Sequence, residues 1–243
     1  MQSFYSWGLP VGHVAGIRIR IHWMLLVWWA IQFNNWVLPA TGDTRKLFLA
    51  VWAIGTLVVF LSILLHELGH CFAARRVGGD ANEILLWPLG GLAFCRCPDD
   101  WKSNFVVAAG GPLVTLVIAS VSYFVFGLLE PHTEEMAWVS RVLVGQTASL
   151  LIEWNIIILI FNLIPLYPLD GGRIFHALAW GYFSQRGGHA WGGYGRANLV
   201  TLWVSRVTAG VGIVYGLYEQ SLMLAIIFLW ALSGAESLKG RRY

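Results

Sequence analysis

Charged side chains are scarce in this sequence, and their scarcity excludes an ordinary soluble domain. Asp, Glu, Lys and Arg make up 12% of the 243 residues, whereas hydrophobic residues make up 57% and the mean hydropathy is +0.64. Soluble globular domains carry about 25% charged residues. The composition is typical of a membrane protein that crosses the bilayer several times.

Cysteine is also rare, and its positions do not favour disulfides. The three cysteines, Cys71, Cys95 and Cys97, lie in or beside segments that we assign to the cytoplasmic side, where thiols usually stay reduced. Cys95 and Cys97 form a single C-x-C pair without the second pair that a structural zinc site requires. A loop or packing role is therefore the favoured interpretation, with metal binding as the alternative.

Long uncharged runs take the place of the missing charge. A hydrocarbon core about 30 Å thick is crossed by about 20 apolar residues in a helix. Six segments approach or exceed that length, the fourth interrupted by Glu153 and the fifth by Arg206: residues 21–39, 48–65, 105–129, 142–169, 199–218 and 221–235. The first is too long for the apolar core of a signal peptide, and no small-residue cleavage pattern follows it, so we expect it to be retained.

The distribution of Lys and Arg orients these spans. With a cytoplasmic N-terminus, twelve Lys and Arg residues fall on the inner side and three on the outer side, which agrees with the positive-inside rule. We therefore expect a multi-pass protein of the cell (inner) membrane with both termini in the cytoplasm. The formal charge of +3 follows from this asymmetry, and no nucleic-acid partner is needed to explain it.

The second span carries a hydrolase pattern, HELGH, at residues 66–70. Positions i and i+4 share one face of a helix, so His66 and His70 can present their imidazoles to one ion, with Glu67 beside it. In hydrolytic zinc sites the metal lowers the pKa of a water molecule, and the motif glutamate accepts its proton. The pattern also arises by chance, but these three side chains are costly inside a span unless a metal or a cavity satisfies them.

The end of the fourth span supplies a candidate third ligand. Its sequence, NLIPLYPLDGGR at residues 162–173, contains two prolines that should break the helix. Asp170 lies three residues before Arg173, at a depth similar to that of the histidines. A simple turn is the alternative, because P-L-D-G-G is a common turn sequence. Since the histidines lack a carboxylate at their depth, we favour Asp170 as the third ligand.

The pairing of HELGH with NLIPLYPLDGGR resembles the site-2 protease family of intramembrane zinc metalloproteases. The resemblance extends, in family order, to GIRIRIHW at residues 16–23, LLWPLGGLA at residues 85–93 and AAGGPLVT at residues 108–115. Thr115 departs from the family pattern, in which asparagine is common at this position. Together with the six apolar runs, the resemblance implies an all-α polytopic fold of about six transmembrane helices, with a small membrane-associated β-hairpin after the second.

The resemblance also implies roles for individual residues. Glu67 would be the general base, and Asn162 would help to hold the substrate or its developing oxyanion. Gly90 and Gly91 would let an unwound substrate approach the hairpin closely. The ligands of one zinc ion per chain would be His66, His70 and Asp170.

These inferences predict an intramembrane zinc endopeptidase that cuts peptide bonds within or next to transmembrane segments. Its expected partners are membrane-embedded substrates, the lipid bilayer and a regulatory membrane protein. No PDZ insertion fits any loop and no nucleotide-sensing modules follow Tyr243, so we expect a single metalloprotease domain over residues 1–243. The alternatives are a membrane metal-ion transporter and a scaffold that binds membrane proteins without cutting them.

Three further features have more than one interpretation. His22 opens the first span and either anchors at the interface or faces the catalytic cavity. Glu153 lies in mid-span, where it either bonds within the helix bundle or gates water. The glycine-rich stretch at residues 185–196 is either a flexible connector or a lid over the substrate entrance.

Overall fold

The computed structural model describes residues 7–88, 90–129, 136–186 and 190–240. In this part of the chain there are seven α-helices and one four-stranded sheet. The helices are α1 (Trp23–Trp36), α2 (Gly42–Arg76), α3 (Trp101–Leu129), α4 (Trp138–Leu163), α5 (Asp170–Arg186), α6 (Ala190–Tyr218) and α7 (Leu222–Glu236). The strands are β1 (Gly8–Val14), β2 (Ile17–His22), β3 (Asp80–Trp87) and β4 (Gly90–Arg96). The predicted fold class, a helical membrane protein with a hairpin after the second span, is confirmed.

Five helical segments within the described ranges are long and apolar enough to cross a membrane. They are Gly42–Arg76, Trp101–Leu129, Trp138–Leu163, Gly192–Tyr218 and Leu222–Lys239. Their outward faces carry large apolar side chains such as Phe124, Ile160 and Val214, each more than 60% exposed. Surfaces of this kind are unfavourable in water and suit contact with lipid, so the chain is a membrane protein.

The segment predicted as the first span forms a shorter helix than expected. α1 has 14 residues, which cover about 21 Å at 1.5 Å per residue. It is short because residues 17–22 belong to β2, and His22 caps the helix by accepting a hydrogen bond at Nδ1 from the Met24 amide. His22 is 1% exposed, so its side chain is enclosed by the protein, and its role stays a prediction.

The sheet packs against α2 through alternate residues of β2. Ile17, Ile19 and Ile21 point into a core that includes Leu64 and Leu68 of α2, as the period of two along a strand requires. The strand order is β1-β2-β3-β4, with β2 and β3 parallel and the outer pairs antiparallel. The predicted hairpin is present with wider bounds, as β3 and β4. The β1–β2 hairpin was not predicted, although the alternation in IRIRIH was a signal for it.

α2 and α3 cross at two glycines that bring their backbones together. A Cβ atom on Gly69 would lie 2.5 Å from the carbonyl oxygen of Gly110, and one on Gly110 would lie 2.6 Å from that of Gly69. Small residues permit close approach of helices within membranes. Because Gly69 lies between His66 and His70, this crossing draws α3 close to both histidines.

α3 begins beside a capping carboxylate. Asp100 Oδ1 accepts a hydrogen bond of 2.9 Å from the Ser103 amide, which is one of the donors left unpaired at a helix start. Hydrogen bonding by the Ser103 side chain, and to a smaller extent by the Ser103 backbone amide, lowers the pKa of Asp100 below its usual value. The cap defines where α3 starts on the cytoplasmic side of our predicted topology.

The cysteines are free thiols within the packed structure. Cys71 is buried in the core, with its Sγ 3.7 Å from Cys95 Sγ, and Cys97 Sγ lies 3.5 Å from Asn104 Oδ1. These surroundings support the packing interpretation. Residues 190–196 of the glycine-rich stretch belong to α6 and are therefore helical, whereas residues 187–189 lie outside the described ranges.

Candidate metal centre

α2 presents the HELGH motif near the end that closes with Arg75 and Arg76. His66 and His70 are one turn apart, with ring centroids separated by 4.9 Å, and each residue is 3% exposed. Glu67 is 7% exposed beside them. All three side chains are enclosed by neighbouring elements, so their polar atoms require partners inside the protein.

Asp170 reaches the histidines because the fourth span ends early. The prediction of a span to residue 169 is wrong at this end: α4 stops at Leu163, and Asp170 opens the 17-residue helix α5 instead of lying in a loop. The prolines break the helix as expected. Gly171 and Gly172 let α5 fold tightly against this connection, since Cβ atoms there would lie 2.3 Å from the Leu163 carbonyl oxygen and 2.2 Å from the Tyr167 nitrogen.

The two histidines and Asp170 converge on one point. His66 Nε2 lies 3.0 Å from Asp170 Oδ2, His70 Nε2 lies 3.2 Å from the same oxygen, and the two Nε2 atoms are 3.2 Å apart. Within the described residues these three side chains form the one group of His, Cys, Asp or Glu whose ligand atoms could hold a metal ion. The structure thus brings together residues separated by 104 positions in the chain.

Hydrogen bonds at the Nδ1 atoms aim the other ring nitrogens at the centre. His70 Nδ1 lies 2.7 Å from the Val107 carbonyl oxygen, which can only accept, so this nitrogen carries the proton. His66 Nδ1 lies 3.4 Å from Thr115 Oγ1, whose own proton is directed to the carbonyls of Gly111 or Pro112. With their Nδ1 atoms engaged in this way, both rings direct Nε2 to the same point, as the imidazole ligands of a metal do.

The donor set fits zinc. At bond lengths of about 2.0–2.1 Å, neighbouring ligand atoms of a tetrahedral zinc site are about 3.3 Å apart. The three separations of 3.0, 3.2 and 3.2 Å are close to that value. Two imidazoles and one carboxylate also match the protein ligands of hydrolytic zinc sites, in which a fourth position stays open.

β4 passes directly over Glu67. A Cβ atom on Gly91 would lie 2.3 Å from Glu67 Cγ, so only glycine permits this approach without displacement. The backbone of Ala93, two residues further along β4, also lies near the Glu67 carboxyl group. Gly90, the neighbouring residue, has a φ of +137°, which favours glycine, and a Cβ atom there would meet nothing within 4 Å. The hairpin and the carboxylate are therefore adjacent, and the predicted role of both glycines toward substrate stays a prediction.

Two residues of α3 belong to the centre without having been assigned a role. A Cβ atom on Gly111 would lie 2.3 Å from His70 Nε2 and 2.6 Å from His66 Nε2. Thr115 is fully buried and contacts His66 through its hydroxyl, so the departure from asparagine retains a polar partner for His66. The AAGGPLVT motif was a signal for this segment, but its contact with the histidines depends on the helix crossing.

Asn162 lies in the last turn of α4, half-buried, and its amide nitrogen donates to the Ile158 carbonyl at 3.0 Å. In this arrangement its amide is engaged within its own helix. Its role toward substrate stays a prediction.

The sequence matches a known family over most of its length. The family model of Peptidase family M50 matches residues 54–201, which include every residue of the candidate metal centre. The chain is 30% identical over 232 residues to a zinc metalloprotease of Methanocaldococcus jannaschii, covering 95% of this chain and 60% of that protein. It is 31% identical over 219 residues to Rip3 of Mycobacterium tuberculosis, covering 87% of this chain and 51% of that protein. The chain thus spans about half to three fifths of the length of these relatives.

A third relative and one solved structure extend the comparison. The stage IV sporulation protein FB of Bacillus subtilis is 25% identical over 210 residues, covering 86% of this chain and 65% of that protein. The structure of the site-2 protease from Methanocaldococcus jannaschii matches with a TM-score of 0.60 at 23% identity, covering 95% of this chain and 94% of that chain. This likeness shows a shared fold.

Proposed function

Because the chain belongs to Peptidase family M50, we propose that it is an intramembrane zinc endopeptidase that hydrolyses peptide bonds within or next to transmembrane segments. The observation that carries this proposal is the cluster of His66, His70 and Asp170 beside Glu67, buried at the level of a membrane-spanning helix. A bilayer admits only peptides that lie within it, so the location of the centre would select membrane-embedded proteins as substrates.

In this proposal His66, His70 and Asp170 hold one zinc ion per chain. When bound, zinc supplies Lewis-acid chemistry that makes a water molecule nucleophilic at neutral pH. Glu67 accepts a proton from the attacking water at its carboxylate and then delivers it to the nitrogen of the leaving amine. Val107 and Thr115 hold the imidazole rings in orientation through the Nδ1 atoms.

β4 provides a surface on which the substrate can be held in extended form. It is one of the two edge strands of the described sheet, and its Gly91 lies against Glu67. A transmembrane helix must unwind before its peptide bonds are accessible, and an edge strand offers backbone donors and acceptors to the unwound segment. Glycines at positions 90 and 91 would allow the two backbones to approach closely, and Asn162 would bind the substrate or its developing oxyanion after turning from Ile158.

In the same proposal the protein lies in the cell (inner) membrane, with both termini in the cytoplasm. The Lys and Arg distribution supports this topology. Arg75 lies nine residues after His66 on α2, so the centre would lie roughly 10–14 Å inside the inner boundary. Cleavage would therefore occur toward the cytoplasmic ends of the substrate helices.

We also propose a regulatory membrane protein as a partner. The observation that supports it is the exposed position of Glu153 in the middle of α4. Its exposed side chain lies on α4 about 22 Å from Trp138 and about 15 Å from Leu163. Gln146 and Ser149 lie along the same helix face at i−7 and i−4. Polar side chains at mid-membrane depth are costly against lipid and are stabilised by a polar partner helix.

This partner proposal predicts selective binding of a basic transmembrane helix. A leucine-rich transmembrane peptide with one central lysine should bind the parent protein in vesicles about 3- to 30-fold more tightly than it binds a Glu153→Leu variant, because polar contacts between membrane helices contribute roughly 0.6 to 2 kcal/mol. Energy transfer between labelled peptide and protein measures this. The same peptide with leucine in place of lysine is the control. Equal binding of the lysine peptide to parent and variant would exclude this face as the contact.

Zinc removal and return test the proposed activity itself. Purified protein stripped with a zinc chelator should lose cleavage of transmembrane peptides, because the histidines and Asp170 alone cannot activate water. Adding back one equivalent of zinc should restore cleavage, with metal analysis giving about one zinc per chain.

The alternatives predict other results in the same preparation. A transporter would move zinc across vesicle membranes and cut nothing, whereas a scaffold would bind the peptides with or without the metal. The candidate ligand atoms of His66, His70 and Asp170 lie within 4.8 Å of one another. This clustering favours a single hydrolytic centre over ligands spread along a transport pathway. Cleavage that is insensitive to zinc removal would contradict the proposal.

A further inference from the structure

A small apolar pocket opens one helical turn from Glu67. Its walls come from three elements that meet beside the hairpin turn, and the lining residues used below are Leu25 and Trp29 of α1, Phe60 and Ile63 of α2, and Trp87 and Gly90 of the hairpin. We call this space the apolar pocket. Its volume is about 20 Å³, enough for one water-sized group.

The pocket and Glu67 share one face of α2. Ile63 precedes Glu67 by four residues and so lies on the same helix face, about 6 Å away along the axis. Gly90, at the other side of the pocket, adjoins the Gly91 that contacts Glu67, and a Cβ atom on Gly90 would point into open space. The pocket therefore lies about one helical turn from Glu67, on the side toward the middle of the membrane.

The spacing matches that of a peptide in extended form. Side chains on one face of a strand recur every two residues, about 6.6 Å apart. A peptide paired with β4, with its cleaved bond at Glu67, would place the side chain two residues away over the apolar pocket. The same spacing links pockets to alternate side chains in other cases of strand addition.

The chemistry of the walls restricts what fits. Leu25 is 8% exposed, and the rings of Trp29 and Phe60 meet edge to face with centroids 6.0 Å apart. The lining offers apolar surface, so a buried charge there would be left unpaired at a high cost. The limited volume excludes large aromatic side chains.

We propose that the apolar pocket is a substrate subsite that receives a small apolar side chain two residues from the cleaved bond, on the membrane-core side. This inference rests on the proposed protease function and adds a sequence preference to it. It predicts that membrane proteins carrying alanine or a similarly small residue at that position are cut in preference to those carrying phenylalanine or aspartate.

The test uses the zinc-loaded chain of residues 1–243 and a set of transmembrane peptides. The peptides differ only at the position two residues from the bond that mass spectrometry identifies as cleaved, with alanine, valine, leucine, phenylalanine or aspartate there. The parent should show a kcat/KM at least tenfold higher for alanine than for phenylalanine or aspartate, since one methylene changes such preferences by about 10- to 200-fold.

Pocket variants separate a subsite from a general structural effect. Phe60→Ala should enlarge the pocket and raise the relative kcat/KM for leucine at least tenfold. Val59 of α2 also lines the pocket, and Val59→Ala, a smaller change, should raise the relative kcat/KM for valine. Leu61→Ala is the matched control, because Leu61 is 42% exposed on the lipid side of the same helix turn and should leave the preference unchanged. Thermal unfolding shows which variants are folded.

The outcomes distinguish the two levels of the argument. If the parent cuts the peptides without preference, or if the folded pocket variants keep the parent's preference, the subsite is wrong while the protease function stands. If the zinc-loaded parent cuts none of the peptides under conditions where it is folded, the proposed function fails, and the subsite fails with it.

Discussion

Replacing Glu67 by glutamine should leave zinc bound and reduce peptide cleavage by about two to four orders of magnitude, the usual contribution of a general base. Glutamine has nearly the same shape as glutamate but cannot accept the proton of the attacking water. The proposed ligand atoms belong to other residues, so we expect the metal centre to stay intact. Zinc content and single-turnover cleavage of a transmembrane peptide measure the two effects separately.

The matched control is Glu219→Gln, an exposed glutamate between α6 and α7 that makes the same chemical change far along the chain from the centre. It should cut at the parental rate. A Glu67→Gln variant that retained cleavage within a few-fold of the parent would refute the assignment of the base. A variant that lost its zinc as well would instead show that Glu67 supports the metal centre.

A methyl group at Gly111 should prevent zinc binding and thereby abolish cleavage. The Cβ atom of alanine would lie 2.3 Å from His70 Nε2 and 2.6 Å from His66 Nε2, well inside van der Waals contact. The close crossing at Gly69 and Gly110 leaves α3 little room to retreat. Zinc content and cleavage rate should both fall to background, and zinc titration followed by metal analysis measures the lost affinity.

Helix propensity makes this experiment easy to interpret. Alanine is favoured over glycine in a helix by about 1 kcal/mol, so Gly111→Ala does not weaken α3 itself. Gly127→Ala is the control on the same helix, because a Cβ atom there would meet nothing within 4 Å. It should bind zinc and cut like the parent. Full zinc binding by Gly111→Ala would show that the histidines face elsewhere.

The fold was predictable from the sequence where its signals are local. Apolar runs identified five spanning helices, and the i, i+4 spacing placed His66 and His70 on one face of α2. The first run forms a shorter helix than expected because its first residues belong to strand β2. These residues pair with β3, and the apolar composition of the run does not reveal that long-range pairing. The helix of the fourth run ends at Leu163 because Pro165 and Pro168 interrupt it, although the sequence stays apolar to residue 169.

The centre was predictable as a set of residues but not as an arrangement. Depth and the family resemblance singled out Asp170, yet its position at the start of α5 follows from the glycines that let this helix fold back on Leu163. The contact of Thr115 with His66 follows from the crossing of α2 and α3. Neither feature has a signature in the spacing of residues along one segment.

The sequence by itself determined which residue types can hold a metal, which segments suit a membrane and which helix face carries the two histidines. These properties depend on composition and on the 3.6-residue period, which act over a few residues. Only the tertiary structure decided that Asp170, Gly91, Gly111 and Thr115 surround that face. Their positions depend on how closely separate backbones approach, and that distance is set by the packing of segments far apart in the chain.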